Sequence, residues 1–309
     1  MITALQVLIT VGVFGYLFKV TDVPKLLDAF HRSPGYCIPA MIATLFALML
    51  VGAFRWRILF IAYGAVRTPP FMQLFKLQLI GLFYNMLPGA VGGDVVRGVV
   101  SRDAFGERGI SSGLAVVLIE RLLGLVGLML LVLSVLAVHP MPALHLPTPF
   151  LLLGIAGGLL AVACLAIGRR LARFLPGKLG ELASNLPELQ NVPLFVGAVL
   201  CSMVGQSFVG LVGHIAVSPL APEIHLAESL VLAPISFAAI FFPFTVAGAG
   251  TRDAAMIYLY GLLGVPQAIV LSASLEILLS YLLVAGCGGV LSALPSMRAA
   301  ASSASPESS

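Results

Sequence analysis

The chain has 309 residues, 60% of them apolar and only 10% charged, with a mean hydropathy of +1.07, whereas soluble domains carry about 25% charged residues. That composition excludes a water-soluble enzyme and leaves no stretch polar enough for a separate globular unit. The 17 Lys and Arg outnumber the 13 Asp and Glu, but they lie between apolar runs, so they are expected to set membrane topology and meet anionic lipid rather than nucleic acid.

A helix needs about 20 apolar residues to cross a hydrocarbon core of about 30 Å. Residues 1–18 are apolar from the first position, without the basic leader or cleavage site of a secretory signal, and are predicted as the first span. Residues 19–32, with Lys19, Lys25 and Arg32, are expected to be an outside loop in which Asp22 and Asp28 dilute the cations. The second span is predicted at 36–54, followed by an inside segment holding Arg55, Arg57 and Arg67, with Trp56 and Tyr63 in an interfacial aromatic belt. Further spans are predicted at 112–138, 150–168, 192–217 and 266–294. Residues 139–148 and 218–228 hold no Lys or Arg and are placed outside; Arg169, Arg170, Arg173 and Lys178 are placed inside, in a segment, 168–190, suited to lie along a leaflet.

Two apolar stretches, 71–93 and 229–250, are broken by Pro and Gly. If both termini are cytoplasmic, the alternation of sides works only if each enters and leaves the membrane on one face. The fold expected is therefore all-α and integral to the membrane, with about six full spans and two re-entrant helical hairpins in an inverted repeat. One transmembrane domain covers 1–295, with halves at about 1–140 and 149–295, and 296–309 is a short polar cytoplasmic tail.

The hairpin tips carry the candidate site. The first reads Phe83-Tyr84-Asn85-Met86-Leu87-Pro88-Gly89-Ala90-Val91-Gly92-Gly93-Asp94-Val95-Val96-Arg97, the second Phe241 to Asp253 with Gly248, Gly250, Arg252 and Asp253. Irregular backbone at membrane depth offers N–H groups that attract anions. Arg97 and Arg252 can each hold a phosphate by two parallel bonds, with Asp94 and Asp253 orienting them; a purely structural clamp is the competing reading. Glu120 lies 23 residues beyond Arg97, and Glu276 lies 23 beyond Asp253, each expected about 12–15 Å inside its span. Ionisable groups at such depth are functional candidates by default: Glu120 pairs with Arg97 or serves proton coupling, and Arg121 points about 100° away from it. Glu276, without an adjacent cation, must be neutralised, hydrogen-bonded or wet. Asn85 can bond freed backbone or a headgroup. His214, a lone histidine near the outer end of its span, reads as simply hydrogen-bonded, and Cys37, Cys164, Cys201 and Cys287 read as packing residues; no catalytic residue, metal or cofactor is expected.

Together, Leu87-Pro88-Gly89, Gly92-Gly93-Asp94-x-x-Arg97, Glu120-Arg121 and Gly248-x-Gly250-x-Arg252-Asp253 resemble the lysylphosphatidylglycerol synthase transmembrane family of flippase-like proteins, over nearly the whole chain. The resemblance implies a bacterial inner-membrane protein that moves lipids such as aminoacylated phosphatidylglycerol, hopanoid-related or other envelope lipids between leaflets, here without the soluble synthase domain. The second motif usually ends Arg-Glu where this chain has Arg252-Asp253, and the arginine often found near Glu276 is absent. The expected partner is an anionic membrane lipid; a homodimer or an envelope-lipid biosynthesis partner stays open. A membrane-embedded transferase acting on a lipid phosphate and a non-catalytic scaffold are the rival readings.

Overall fold

The computed structural model describes residues 21–87, 92–100, 104, 109–142, 188–238 and 250–293, with scattered positions in 12–19 and 156–163. The predicted spans at 1–18 and 150–168, nearly all of 168–190 and the tail 296–309 lie outside the described residues. Every regular element described is helical. Four helices are long and apolar enough to cross a membrane: Cys37–Ala62, Gly113–Val138, Val192–Val217 and Gln267–Ala293.

Helix α1 (Val23–Arg32) occupies the stretch expected to be a loop. Val23, Leu26, Leu27 and Phe30 recur at helical spacing, and Asp22 caps the first turn by accepting the Lys25 amide at 3.4 Å. The helix runs parallel to the start of the last helix. Gln267 Nε2 donates to Thr21 Oγ1 at 2.8 Å, Leu26 packs on Leu271, and Ser33 Oγ donates to Glu276 Oε2 at 3.0 Å. Leu26 and Ala29 are buried, while Val23, Leu27 and Phe30 remain exposed.

Helix α2 (Cys37–Ala62) is two turns longer than predicted. Arginine is a good helix former and Ile58, Leu59 and Phe60 continue the apolar face, so Arg55, Trp56 and Arg57 are helical. The helix stops at Gly64, whose φ of 67° suits glycine, and Ala62 O accepts the Gln190 and Asn191 amides at 2.9 and 3.1 Å. Trp56 is 0% and Tyr63 2% exposed. Both belong to the interior and not to a lipid-facing aromatic belt.

Helices α3 (Phe71–Met86) and α4 (Gly92–Val100) form a hairpin. The Gly93 amide donates to Asn85 Oδ1 at 3.2 Å, and a Cβ on Gly81 would come within 2.8 Å of Arg97 Cδ. Positions thus meet in reverse order, so α4 folds back along α3. Helices α5 (Gly109–Val138) and α6 (Val192–Val217) follow. A second hairpin pairs α7 (Leu226–Ala238) with α8 (Thr251–Gly261): the Arg252 guanidinium lies 5.2 Å from the Phe237 ring centre, while Tyr260 reaches the Gly213–Ala233 contact further back. Helix α9 (Gln267–Ala293) closes the bundle; its first turns are covered by α1, and its large exposed apolar residues begin at Leu279 and end at Val290.

Lipid is as apolar as the helices, so van der Waals fit between small residues supplies much of the association energy. A Cβ on Gly288 would collide with the Leu79 carbonyl, and one on Gly127 would stand 2.7 Å from the Met203 amide nitrogen. Two apolar clusters result. One surrounds Cys37, Met41, Leu232, Tyr260 and Ile277; the other surrounds Trp56, Phe60, Leu74, Ile119 and Phe195. Helix α2 passes from the first, on which Leu48 and Met49 pack, into the second, to which Ala53 belongs.

Two predictions follow from this packing. Gly288→Ala is expected to destabilise the detergent-purified protein by about 1–3 kcal/mol through overpacking. Gly286→Ala, with nothing within 4 Å of its Cβ, is expected to stabilise it by up to about 1 kcal/mol through helix propensity; thermal unfolding reads both signs. At the junction of α5 and α7, Glu228 Oε1 accepts from His139 Nε2 at 3.0 Å. Burial pushes the Glu228 carboxyl up, but the bond from its own backbone and the contact with His139 outweigh this and hold it below its ordinary 4.5. A depressed native value adds stability that is complete above the unfolded value and lost as pH falls through the native one. Unfolding temperatures are therefore expected to decline below about pH 4.5, with a component that Glu228→Gln removes.

Candidate functional site

At the level of Arg55, α2 to α6 converge on one buried carboxylate. Glu120, on α5 and 3% exposed, accepts Arg55 Nη2 at 2.7 Å and Gln78 Nε2 at 3.3 Å on Oε1, and Arg97 Nη2 on Oε2. Arg55 Nη1 also donates to Ser202 Oγ at 3.2 Å. One turn along, Arg121 donates through Nε to Asp94 Oδ2, and Asp94 Oδ1 lies 3.7 Å from Arg97 Nη1. Glu120 and Arg121 therefore face different partners, as an angle of about 100° between neighbours requires. The Arg97 guanidinium carbon sits 4.3 Å from the centre of the Trp56 ring, a cation–π contact.

These side chains border a cavity of about 230 Å³. Among the described residues its charged lining is Arg55, Arg97, Arg121, Asp94 and Glu120, three guanidiniums and two carboxylates. Gln206, which donates to the Gly124 carbonyl at 3.0 Å, lines it further along, with Leu48 and Val209. Glycine at 124 leaves the wall open, with nothing within 4 Å of where its Cβ would stand.

The second set of predicted residues forms a different object. Gly250, with φ of 96°, heads α8, and its amide donates to Asp253 Oδ2 at 2.8 Å. Arg252 turns back on its neighbour, donating to Asp253 Oδ1 from Nε at 3.0 Å and Nη2 at 2.7 Å, and reaches Ser274 O at 3.1 Å. Ser274 Oγ donates to the same Asp253 oxygen. Arg252 and Asp253 are 2% and 1% exposed, and neither lines the cavity described above. Glu276 takes its hydrogen bond from Ser33, at the end of α1; the matching separation of 23 residues does not give it the role that Glu120 has.

Of the predicted residues, Asn85, Gly93, Asp94, Arg97, Glu120 and Arg121 come together around the first hairpin, where Gly92 begins α4. Gly250, Arg252 and Asp253 come together at the second. Pro88, Gly89 and Gly248 lie outside the described residues, as does Cys164. Arg55, Gln78, Ser202, Gln206 and Ser274 join the two groups without having been singled out. Gln78 had a signal, as a lone amide inside the apolar run 74–83; Arg55 looked like one more topology cation. Among the described residues no three His, Cys, Asp or Glu side chains gather as a metal site requires.

Glu120→Gln would remove the charge that the Arg55 and Arg97 guanidiniums share, and breaking a buried pair in this way costs about 3–5 kcal/mol. Glu276→Gln, whose described partner is one hydroxyl, is expected to cost about 1 kcal/mol. Thermal unfolding followed by Trp56, the single tryptophan of the chain, compares the two.

A search of curated proteins finds no match. The family description "Lysylphosphatidylglycerol synthase TM region" matches residues 3–289, nearly the whole chain. This protein is a membrane protein belonging to the lysylphosphatidylglycerol synthase transmembrane-region family.

Proposed function

We propose that the protein is a lipid flippase or transporter that binds an anionic, phosphate-bearing lipid and moves it between the leaflets of the inner membrane. The observation that carries this reading is the cavity beside α3 and α4, whose described lining sets the guanidiniums of Arg55, Arg97 and Arg121 beside the carboxylates of Asp94 and Glu120. A soluble headgroup in hydrocarbon needs such a lining, because an unpaired charge in a medium of low dielectric is prohibitively unfavourable. Arginine offers the planar donor pair that phosphate accepts best.

In this reading the hairpins α3–α4 and α7–α8 are re-entrant, entering from opposite faces as halves of an inverted repeat, with both termini cytoplasmic. Family membership and the folding back of both helix pairs support it. The first hairpin holds the headgroup. The second, in which Arg252 is engaged by Asp253 and Ser274, is its counterpart.

Leaflet exchange of fluorescent phosphatidylglycerol in proteoliposomes tests this. Exchange is expected to exceed that of empty vesicles. Gly124→Leu, which fills the cavity where there is space for a side chain, is expected to slow it at least about tenfold, the equivalent of about 1.4 kcal/mol on the barrier, with the unfolding temperature maintained. Exchange no faster than in empty vesicles across a panel of headgroups would remove the transport reading and favour a scaffold.

A further inference from the structure

We infer that the cavity recognises a headgroup that carries hydroxyl groups, a glycerol or other polyol, through the open ends of two amide side chains: Gln206 Oε1 as acceptor and Asn85 Nδ2 as donor. The inference rests on the lipid-binding reading of the same cavity and concerns the part of the headgroup beyond its phosphate.

Among the described residues, the neutral polar side chains lining the cavity are Gln78, Asn85, Ser202 and Gln206. Ser202 is used in both senses, donating to the Ala198 carbonyl at 2.9 Å and accepting Arg55 Nη1 at 3.2 Å. Gln78 is buried and gives its amide nitrogen to Glu120. The other two are each tied at one end. Gln206 Nε2 donates to the Gly124 carbonyl at 3.0 Å, and Asn85 Oδ1 accepts the Gly93 amide at 3.2 Å. These backbone partners fix which way each amide faces. A carbonyl cannot donate, so nitrogen must meet Gly124; an N–H cannot accept, so oxygen must meet Gly93. The opposite ends, Gln206 Oε1 and Asn85 Nδ2, have no partner among the described residues. Neither is sealed off in the way of Arg55 Nε and Trp56 Nε1, which are buried without a hydrogen bond. Both ends therefore reach open space, on side chains that border the cavity.

An acceptor and a donor offered together suit a particular chemistry. A phosphodiester only accepts and an ammonium only donates, whereas a hydroxyl does both. A polyol can thus give to Gln206 and take from Asn85. A headgroup ending in a methyl would strip water from both ends and return nothing, the costly case for a polar group. The placement suits a headgroup spread across the site. Gln206 lies four residues beyond Ser202 on α6, and Asn85 lies seven beyond Gln78 on α3. Each amide therefore shares a helix face with a side chain bonded to the charged cluster, about 6–10 Å along the axis from it. Leu48 and Val209 continue the lining as an apolar wall on which an acyl chain can lie.

Isothermal titration calorimetry of the detergent-purified full chain tests this with three probes. Short-chain phosphatidylglycerol is compared with short-chain phosphatidylmethanol, which keeps the phosphodiester charge and lacks the hydroxyls, and with glycerol phosphate, which keeps hydroxyls and lacks chains. Phosphatidylglycerol is expected to bind at least about fivefold more tightly than either, as one or two hydrogen bonds between neutral groups allow. Gln206→Met, close to glutamine in shape, is expected to lose most of the preference over phosphatidylmethanol. Should that variant not fold, Asn85→Asp keeps an oxygen on the Gly93 amide, turns the open donor into an acceptor, and is expected to reduce the same ratio. Equal binding of the two lipids to the unaltered protein would overturn the inference, as would an unchanged ratio in the variant or glycerol phosphate binding as tightly as phosphatidylglycerol. Two lipids that bind equally leave the lipid-binding reading standing and end this inference alone; binding of neither ends both.

Discussion

One carboxylate, Glu120, holds five helices in register. Arg55 brings α2 to it, Gln78 brings α3, Arg97 brings α4, and Ser202 on α6 is joined through Arg55. In water such pairs contribute little, because solvent competes for every donor. Where hydrocarbon surrounds the bundle, separating any one of these charges from its partner is far more costly, so the network has few alternatives to the arrangement seen. The apolar residues around it cannot supply that uniqueness, since lipid satisfies them equally well. Close glycine contacts fix how near the helices come; the ionic cluster fixes which turns face one another.

The two hairpins use an Arg and an Asp in opposite ways. On α4 the residues are three apart, and both reach outward, to Glu120 and to Arg121 on α5. On α8 they are adjacent, and Arg252 folds onto Asp253 within its own first turn, where Asp253 also caps the helix. Ser274 completes that group where the first hairpin has a glutamate. Among the described residues the first arrangement borders a cavity, while in the second one guanidinium faces one carboxylate and a serine. Similar motifs thus border a cavity in one hairpin and close on each other in the second.

Much of the helical layout was legible in the sequence, because long apolar runs have few interpretations. The range predicted for α6 matches its bounds, and those for α5 and α9 differ by a few residues at the ends. Helix α1 was missed because a ten-residue amphipathic segment with two acid–base pairs, Asp22 with Lys25 and Asp28 with Arg32, resembles a solvated loop when only topology is being read. The extension of α2 was missed for a related reason: arginine was taken to mark the membrane boundary, although a guanidinium with a partner can sit within the bundle. Around the candidate site, the motifs located Asp94, Arg97, Glu120 and Arg121, but their partners come from helices far away in the chain. No local pattern announces that Ser202 will meet Arg55 across 147 positions, or that Glu276 will meet Ser33 and not Arg252. Such pairings depend on which faces pack, and that is a property of the assembled bundle.

The sheath that α1 places over the beginning of α9 bears on how the molecule meets membranes of unequal thickness. Helix α9, at 27 residues, is about 40 Å long, against a hydrocarbon core of about 30 Å, and its large exposed apolar side chains start only at Leu279. The surplus length is already clothed by a helix that is apolar on one stripe and charged on another. A change in bilayer thickness can therefore be absorbed by how deeply Val23, Leu27 and Phe30 settle into the headgroup zone, without tilting the helices that carry Glu120 and its arginines.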